Sequence, residues 1–281
     1  MYQDDDQRPV SIRRRTRGSG PRMLLLHGLA ENDSVWDRCV EGLEEYEVWS
    51  ARLPWRSERT NEWARERDLA VPLAEALEAV PGGPQVVVAH SMSSNLLLDL
   101  FDRESRAGRD PFARFGVRAV VLVSPFYRRT AEEFVWENLS SSLDGFLLIM
   151  EEGIRVHSAG RLPSEIQLAM AQRVRDRVGP HGWLRFFESY LRTPELEPVR
   201  MTVPCLVLGG ENDIAAVPAE SETLAADLPD ARVRILPGCG HFPMIEEAER
   251  FASEIRAFVN SHTTEAPQCG PAAHTVLEHR R

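Results

Sequence analysis

Ser91, Asp213 and His241 are the residues of this chain whose types and order suit the breaking of an acyl bond. A serine hydroxyl is a weak nucleophile until a base removes its proton. Imidazole is that base only while a carboxylate holds its tautomer and stabilises the imidazolium. Ser91 sits in Ala89-His90-Ser91-Met92-Ser93, between small residues. A sharp strand-to-helix turn needs small flanks, because neighbouring chain comes close to the strained serine backbone. Glycines usually fill those two places, so Ala89 and Ser93 meet the steric rule in a looser form. Asp213 ends Gly209-Gly210-Glu211-Asn212-Asp213, and His241 stands in Gly240-His241-Phe242-Pro243. Each letter has a plainer reading, Asp213 as a helix cap and His241 as a loop histidine held by backbone groups.

The elements that must position these groups follow from hydrophobic pattern. Val86, Val87 and Val88 form an unbroken β-branched run before Ser91, the mark of a strand buried on both faces of a parallel sheet. Leu96, Leu97, Leu98, Leu100 and Phe101 leave the following helix little polar face, so it too must be buried. Further strands are expected at 23–26, 47–52, 117–123, 205–208 and 232–236, with an exposed edge strand at 11–17 bearing Arg13-Arg14-Arg15. Helices are expected around Trp36 and Val40, over 63–80 with Pro72 as a kink or internal start, over 219–228, and around Phe251, Ile255, Phe258 and Val259. The three chemical groups then fall at carboxyl ends of strands, where open α/β sheets bind ligands. Gly28, after the strand at 23–26, lets backbone N–H groups turn toward the same mouth, and Leu29 supplies one.

Between 126 and 200 the strand-helix alternation stops. Helical patterns run over 132–139, 143–156 and 163–191, the last broken at Gly179-Pro180, and Trp183, Phe186, Phe187 and Tyr190 make one apolar stripe. The fold class is therefore α/β, a mostly parallel doubly wound sheet. Its core is expected to span 10–125 and 201–260, with a helical cap inserted at 126–200 after the strand ending near Ser124 and disordered tails expected at 1–9 and 261–281.

A hydrophobic fraction of 43% over 281 residues is enough for a full core. The net charge of -10 leaves no basic surplus for phosphates, which argues against nucleic acid or an anionic membrane as partner. All of the basic count is arginine. No apolar run approaches the ~18 residues of a membrane-spanning helix. The acidic start lacks an apolar signal region, and Cys39, Cys205, Cys239 and Cys269 are scattered, so a reducing, cytoplasmic setting is expected. His262, Cys269, His274 and His279 lack metal-site spacing, and no metal or cofactor is expected.

Over about residues 10 to 260 the chain resembles the α/β-hydrolase fold superfamily, in its serine-nucleophile branch. The resemblance rests on Leu26-His27-Gly28-Leu29, on Ala89-His90-Ser91-Met92-Ser93, on Gly209-Gly210-Glu211-Asn212-Asp213 followed by Val217-Pro218, and on Gly240-His241-Phe242-Pro243-Met244 with Glu246. The order Ser, Asp, His is the order of that superfamily. It implies Ser91 as nucleophile, His241 as base, Asp213 as its orienter, the backbone N–H groups of Leu29 and Met92 as oxyanion hole, and the insert at 126–200 as lid. His27 and His90 then shape turns by hydrogen bonding. Two departures stand out: Arg52-Leu53-Pro54-Trp55-Arg56-Ser57 replaces an acid and both glycines, which either puts Trp55 and Arg56 at the pocket rim or makes a plain surface loop, and Ser93 and Ser94 follow the nucleophile. A serine nucleophile argues against the dehalogenase and epoxide hydrolase branches.

The activity implied is a cofactor-independent serine hydrolase acting on an ester, lactone or thioester of a small to medium, partly apolar molecule. Candidates for its substrate pocket are Trp36, Trp55, Phe126, Tyr127, Phe134, Phe146, Met150, Phe187 and Phe242. The same triad also serves carbon–carbon bond cleavage, lyase, cyclase or acyl-transfer chemistry, and a ligand-binding pseudo-hydrolase would keep the pocket without turnover. Oligomeric state stays open.

Overall fold

The computed structural model describes residues 10–55 and 60–263. Arg56, residues 1–9 and the chain beyond 263 lie outside the described residues, while 261–263, expected to open the disordered tail, are the end of the last helix. Seven strands, β1 (Ser11–Arg14), β2 (Arg22–Leu26), β3 (Glu47–Arg52), β4 (Val86–His90), β5 (Ala119–Val123), β6 (Cys205–Gly210) and β7 (Ala231–Leu236), form one sheet in the order β1-β3-β2-β4-β5-β6-β7. β1 runs antiparallel to β3, and every other pair is parallel. The valine and leucine runs explain the centre of the sheet: β4, β5 and β6 are buried at every position. The edges are marked by charge. Arg13 and Arg14 on β1 are exposed, as are Arg232 and Arg234 on β7, which discourages pairing with a further strand.

Among the described residues ten α-helices complete the fold: α1 (Asp37–Val40), α2 (Thr60–Trp63), α3 (Val71–Ala79), α4 (Met92–Arg106), α5 (Pro111–Phe115), α6 (Trp136–His157), α7 (Ser164–Leu191), α8 (Pro218–Asp227), α9 (Pro243–Glu246) and α10 (Ala248–Thr263). The single helix expected over 63–80 is two. Pro72 lies in the first turn of α3 and marks a start, where its missing N–H costs nothing. Before it, the Trp63 indole donates to the Leu69 carbonyl and Asp68 accepts the Ala70 N–H, turning the chain between the two helices. The expected patterns at 132–139 and 143–156 merge differently: a 3-10 turn at Ala131–Glu133, closed by a Thr130–Glu133 capping box, precedes the continuous α6. α7 breaks where expected, at Gly179, whose φ of 67° leaves the helical region just before Pro180.

α6 and α7 both come between β5 and β6 and pack on each other, α7 also on α2 and α4 and α6 on α9. α4 is buried along nearly its whole length, as its leucines require. No helix among the described residues is long and apolar enough to cross a membrane.

Candidate active site

The turn from β4 into α4 gives Ser91 a φ of 55° and ψ of -125°, a conformation most residues avoid. It is held on all sides. The Ser91 N–H donates to the Val123 carbonyl on β5 at 2.8 Å, and the Ser94 N–H donates to the Ser91 carbonyl at 2.8 Å. The two serines that depart from the usual pattern spend their hydroxyls on backbone: Ser93 donates to the His27 carbonyl, and Ser94 to the Ala89 carbonyl at 2.7 Å. Ser93 thereby ties the nucleophile turn to the end of β2. Gly28 shows why that approach must be bare, since a Cβ there would lie 3.0 Å from Ser91 Cβ and 3.1 Å from His90 Nδ1.

His241 bridges the other two groups. Its Nε2 is 3.1 Å from Ser91 Oγ, and its Nδ1 is 2.8 Å from Asp213 Oδ2. Asp213 is fixed in turn, because its Oδ1 accepts the Ala215 and Ala216 N–H groups at 2.9 and 3.0 Å. All three side chains are buried. Burial works against a charged imidazole, but the Asp213 carboxylate and its hydrogen bond outweigh it, so the His241 ring is held above the ordinary histidine value. An imidazole placed this way takes the serine proton while its Nδ1–H stays on the carboxylate, which makes Ser91 able to attack an acyl carbon.

The loops that carry the acid and the base touch backbone to backbone. A Cβ on Gly210 would run into the Gly240 and Cys239 carbonyls, so only glycine lets β6 end there. Glu246, one turn into α9, accepts the Gly240 N–H at 2.9 Å and the Phe242 N–H at 3.0 Å with its two oxygens. His241 is thus clamped on both sides by one carboxylate. The two other histidines do shape turns. His27 accepts the Leu53 N–H on Nε2 at 3.0 Å, leaving Nδ1–H to donate to the Gly28 carbonyl at 2.9 Å. His90 Nε2 bonds the His241 carbonyl at 3.0 Å, and burial, with His241 beside it, drives the His90 ring well below the ordinary value. His90 is a neutral spacer between nucleophile strand and base loop.

A small cavity opens on the triad, lined by Phe126, Phe146, Met150 and Phe242 from the expected pocket, and by Leu29 of the β2 loop. Met92 opens α4, where a first-turn N–H has no acceptor within the helix. The other pocket candidates sit elsewhere, each for a packing reason. Trp36 is fully buried against Phe251 and the edge of His90, behind the nucleophile strand. Trp55, expected at the rim, is fully buried between His27 and Trp63, and its carbonyl accepts the Ala30 N–H, so it braces the loop after β2. Tyr127 turns away, its hydroxyl donating to Asp227 at 2.9 Å. Phe134 and Phe187 pack behind the cavity walls, against Tyr190 and Phe146 respectively.

Sequence reasoning missed Glu31, Ile149, Trp183 and Phe186 as wall residues, and Asn95, whose amide both donates to the Phe126 carbonyl and accepts its N–H. An asparagine in the middle of an apolar helix was the available signal for Asn95. Among the described residues no cluster of three or more His, Cys, Asp or Glu side chains could hold a metal ion.

The model of the alpha/beta hydrolase family matches residues 23–254. The chain is 24% identical to a pimeloyl-[acyl-carrier protein] methyl ester esterase of Nitrosomonas europaea over 263 residues, covering 87% of this chain and 98% of that one. It is 34% identical over 271 residues to the polyketide synthase ThaQ of Burkholderia thailandensis, covering 91% of this chain and 12% of that much longer protein. In structure it is similar to a thermophilic esterase from Thermogutta terrifontis, with a TM-score of 0.61, 22% identity, and 90% and 94% of the two chains covered. Sheet order, family match and esterase relatives along almost the whole length agree: the chain belongs to the alpha/beta hydrolase family and is a hydrolase.

Proposed function

We propose that this hydrolase cleaves an ester, lactone or thioester of a small to medium, partly apolar molecule through an acyl-enzyme on Ser91. The observation that carries the proposal is the unbroken line from Ser91 Oγ to His241 Nε2 at 3.1 Å and from His241 Nδ1 to Asp213 at 2.8 Å, at the edge of an aromatic-walled cavity. Ser91 Oγ attacks the acyl carbon while His241 takes its proton. The negative charge that develops on the carbonyl oxygen is received by the Leu29 and Met92 N–H groups. His241 then gives the proton to the leaving oxygen or sulfur, and the acyl group stays on Ser91. Water repeats the sequence, losing its proton to His241, and the acid leaves.

The inserted helices 126–200 act as the cap, since α6 and α7 supply Phe146, Met150, Trp183 and Phe186 to the cavity walls. The relative named for a methyl ester makes simple alkyl esters the first class to assay. Cys39, Cys205 and Cys239 are buried free thiols, which suits the cytoplasm. The test is labelling by a fluorophosphonate probe, with Ser91→Ala and His241→Ala as controls, followed by a panel of p-nitrophenyl esters and lactones. Labelling of wild type alone is expected. A folded wild type that neither labels nor turns over any ester would leave triad-dependent lyase or binding roles in its place.

A further inference from the structure

The cavity at Ser91 has a volume of only about 20 Å³, enough for roughly one water molecule. A larger chamber of about 160 Å³ lies beside it. Phe126, Phe146, Ile149 and Phe186 line both, and the Phe126 and Phe146 rings meet Phe186 edge to face at 4.8 and 4.9 Å, so an aromatic waist stands between the two spaces. Ile214, next to the catalytic acid and 59% exposed, stands at the chamber's outer rim.

One part of the chamber is different in kind. Arg128, Tyr190 and Glu220 line it among otherwise mostly apolar neighbours. Glu220 is 2% exposed and accepts the Tyr127 N–H at 2.7 Å and the Tyr190 hydroxyl at 2.8 Å, while Arg128 pairs with it at 2.9 Å. Arg128 Nε also donates to the Tyr190 oxygen at 3.0 Å. A buried ion pair is weak as a device for stability, because desolvation consumes what the attraction supplies. Polar groups placed on one wall of an apolar pocket are the usual means of orienting a ligand.

The small space at Ser91 leaves little room beyond the reacting group, so the larger chamber is where a longer arm of the substrate can lie. What that arm carries is set by charge. A carboxylate would compete with Glu220 for Arg128, and an ammonium would face Arg128. A hydroxyl both donates and accepts, and so meets the pair without displacing either member. We propose, building on the ester hydrolase reading, that the chamber beyond Phe146 is a specificity subsite for a substrate arm bearing a hydroxyl, held by Arg128, Tyr190 and Glu220.

The test separates binding from turnover by using Ser91→Ala. Methyl alkanoates and their ω-hydroxy forms, and alkyl acetates and theirs, are titrated by ligand-observed NMR at chain lengths of about four to ten carbons. The expected result is that the hydroxylated form binds about tenfold tighter than its parent at one or more lengths in one series, since a site built to hydrogen-bond a hydroxyl discriminates against its absence. Adding Tyr190→Phe or Arg128→Met, with folding checked by circular dichroism, is expected to bring the ratio to about one. A hydroxyl that weakens binding or leaves it unchanged in both series overturns the proposal, because a chamber that gives the hydroxyl no partner gains nothing from it. So does a preference that survives both substitutions. Should neither substituted protein fold, the ratio in Ser91→Ala alone decides. Wild-type turnover of p-nitrophenyl butyrate, read in parallel, reports on the hydrolase reading independently.

Discussion

Glu220 gives a sharp prediction about stability and pH. Burial is the largest influence on its carboxyl; Arg128, the Tyr127 N–H and the Tyr190 hydroxyl pull the other way, and the outcome is a value raised from 4.5 to about 7. Between those two pH values the folded protein keeps a proton on Glu220 that the unfolded chain has released. Folding stability from this group is therefore fully present below pH 4.5 and is lost as pH rises through 7. At about 1.4 kcal/mol per pH unit, the loss across that window is about 3 kcal/mol. Glu220→Gln cannot ionise and should remove this slope. Any contact the amide fails to reproduce, above all the one to Arg128, shifts the variant's curve as a whole and leaves the slope comparison intact. Urea unfolding at intervals from pH 4.5 to 8 measures it, with every other titrating group common to both proteins. The difference in unfolding free energy between variant and wild type should grow by about 3 kcal/mol across the range, in favour of the variant. Parallel curves would refute the reasoning, and would mean that water reaches Glu220 or that Arg128 keeps it ionised throughout.

Other perturbations follow from the site. Asp213→Asn should lower kcat by about 10⁴-fold while circular dichroism stays unchanged, and should move the acid limb of the pH–rate profile to lower pH, since the carboxylate that holds the His241 ring up is gone. Glu246→Ala leaves the Gly240 and Phe242 N–H groups without their acceptor and should cost about 2 kcal/mol in thermal or urea unfolding, with a fall in kcat larger than any change in KM. Gly28→Ala puts a methyl 3.0 Å from Ser91 Cβ, and fluorophosphonate labelling should slow by roughly tenfold in a protein that still melts cooperatively. Leu97→Ala, in the fully buried face of α4, should destabilise by about 3 kcal/mol with kcat/KM per folded molecule nearly intact.

What the sequence made legible was whatever rests on local chain. Val86, Val87 and Val88 could only be a buried strand, the leucines of α4 could only be a buried helix, and the small residues around Ser91 mark the turn between them. Asp213 and His241 were readable because each follows a strand with glycines in the loop. The lining of the cavity was not readable in the same way. Trp36 and Trp55 are large, apolar and close in sequence to the β2 and β3 loops, yet both turn inward, and nothing in their neighbours distinguishes a brace from a wall. Phe186 and Phe187 are adjacent on α7, but only Phe186 lines the cavity, a choice set by how α7 leans on α6. Glu220 reads as an ordinary first-turn acid of α8. Its partners Arg128 and Tyr190 come from the inserted segment, so its burial is a property of tertiary structure alone.

The contact of the Gly210 loop with the Gly240 loop bears on how this enzyme could change its substrate over time. Because acid and base ride on loops fused at their backbones, with Glu246 as a strut and His90 as a gauge to the nucleophile, their spacing is written into the scaffold and not into the helices above it. Segments as different as α6 and α7 can therefore be lengthened, swapped or retuned while the proton relay keeps its geometry. On the proposed reading, change can be taken up by the helices that wall the cavity, while the spacing of Ser91, His241 and Asp213 stays with the loops.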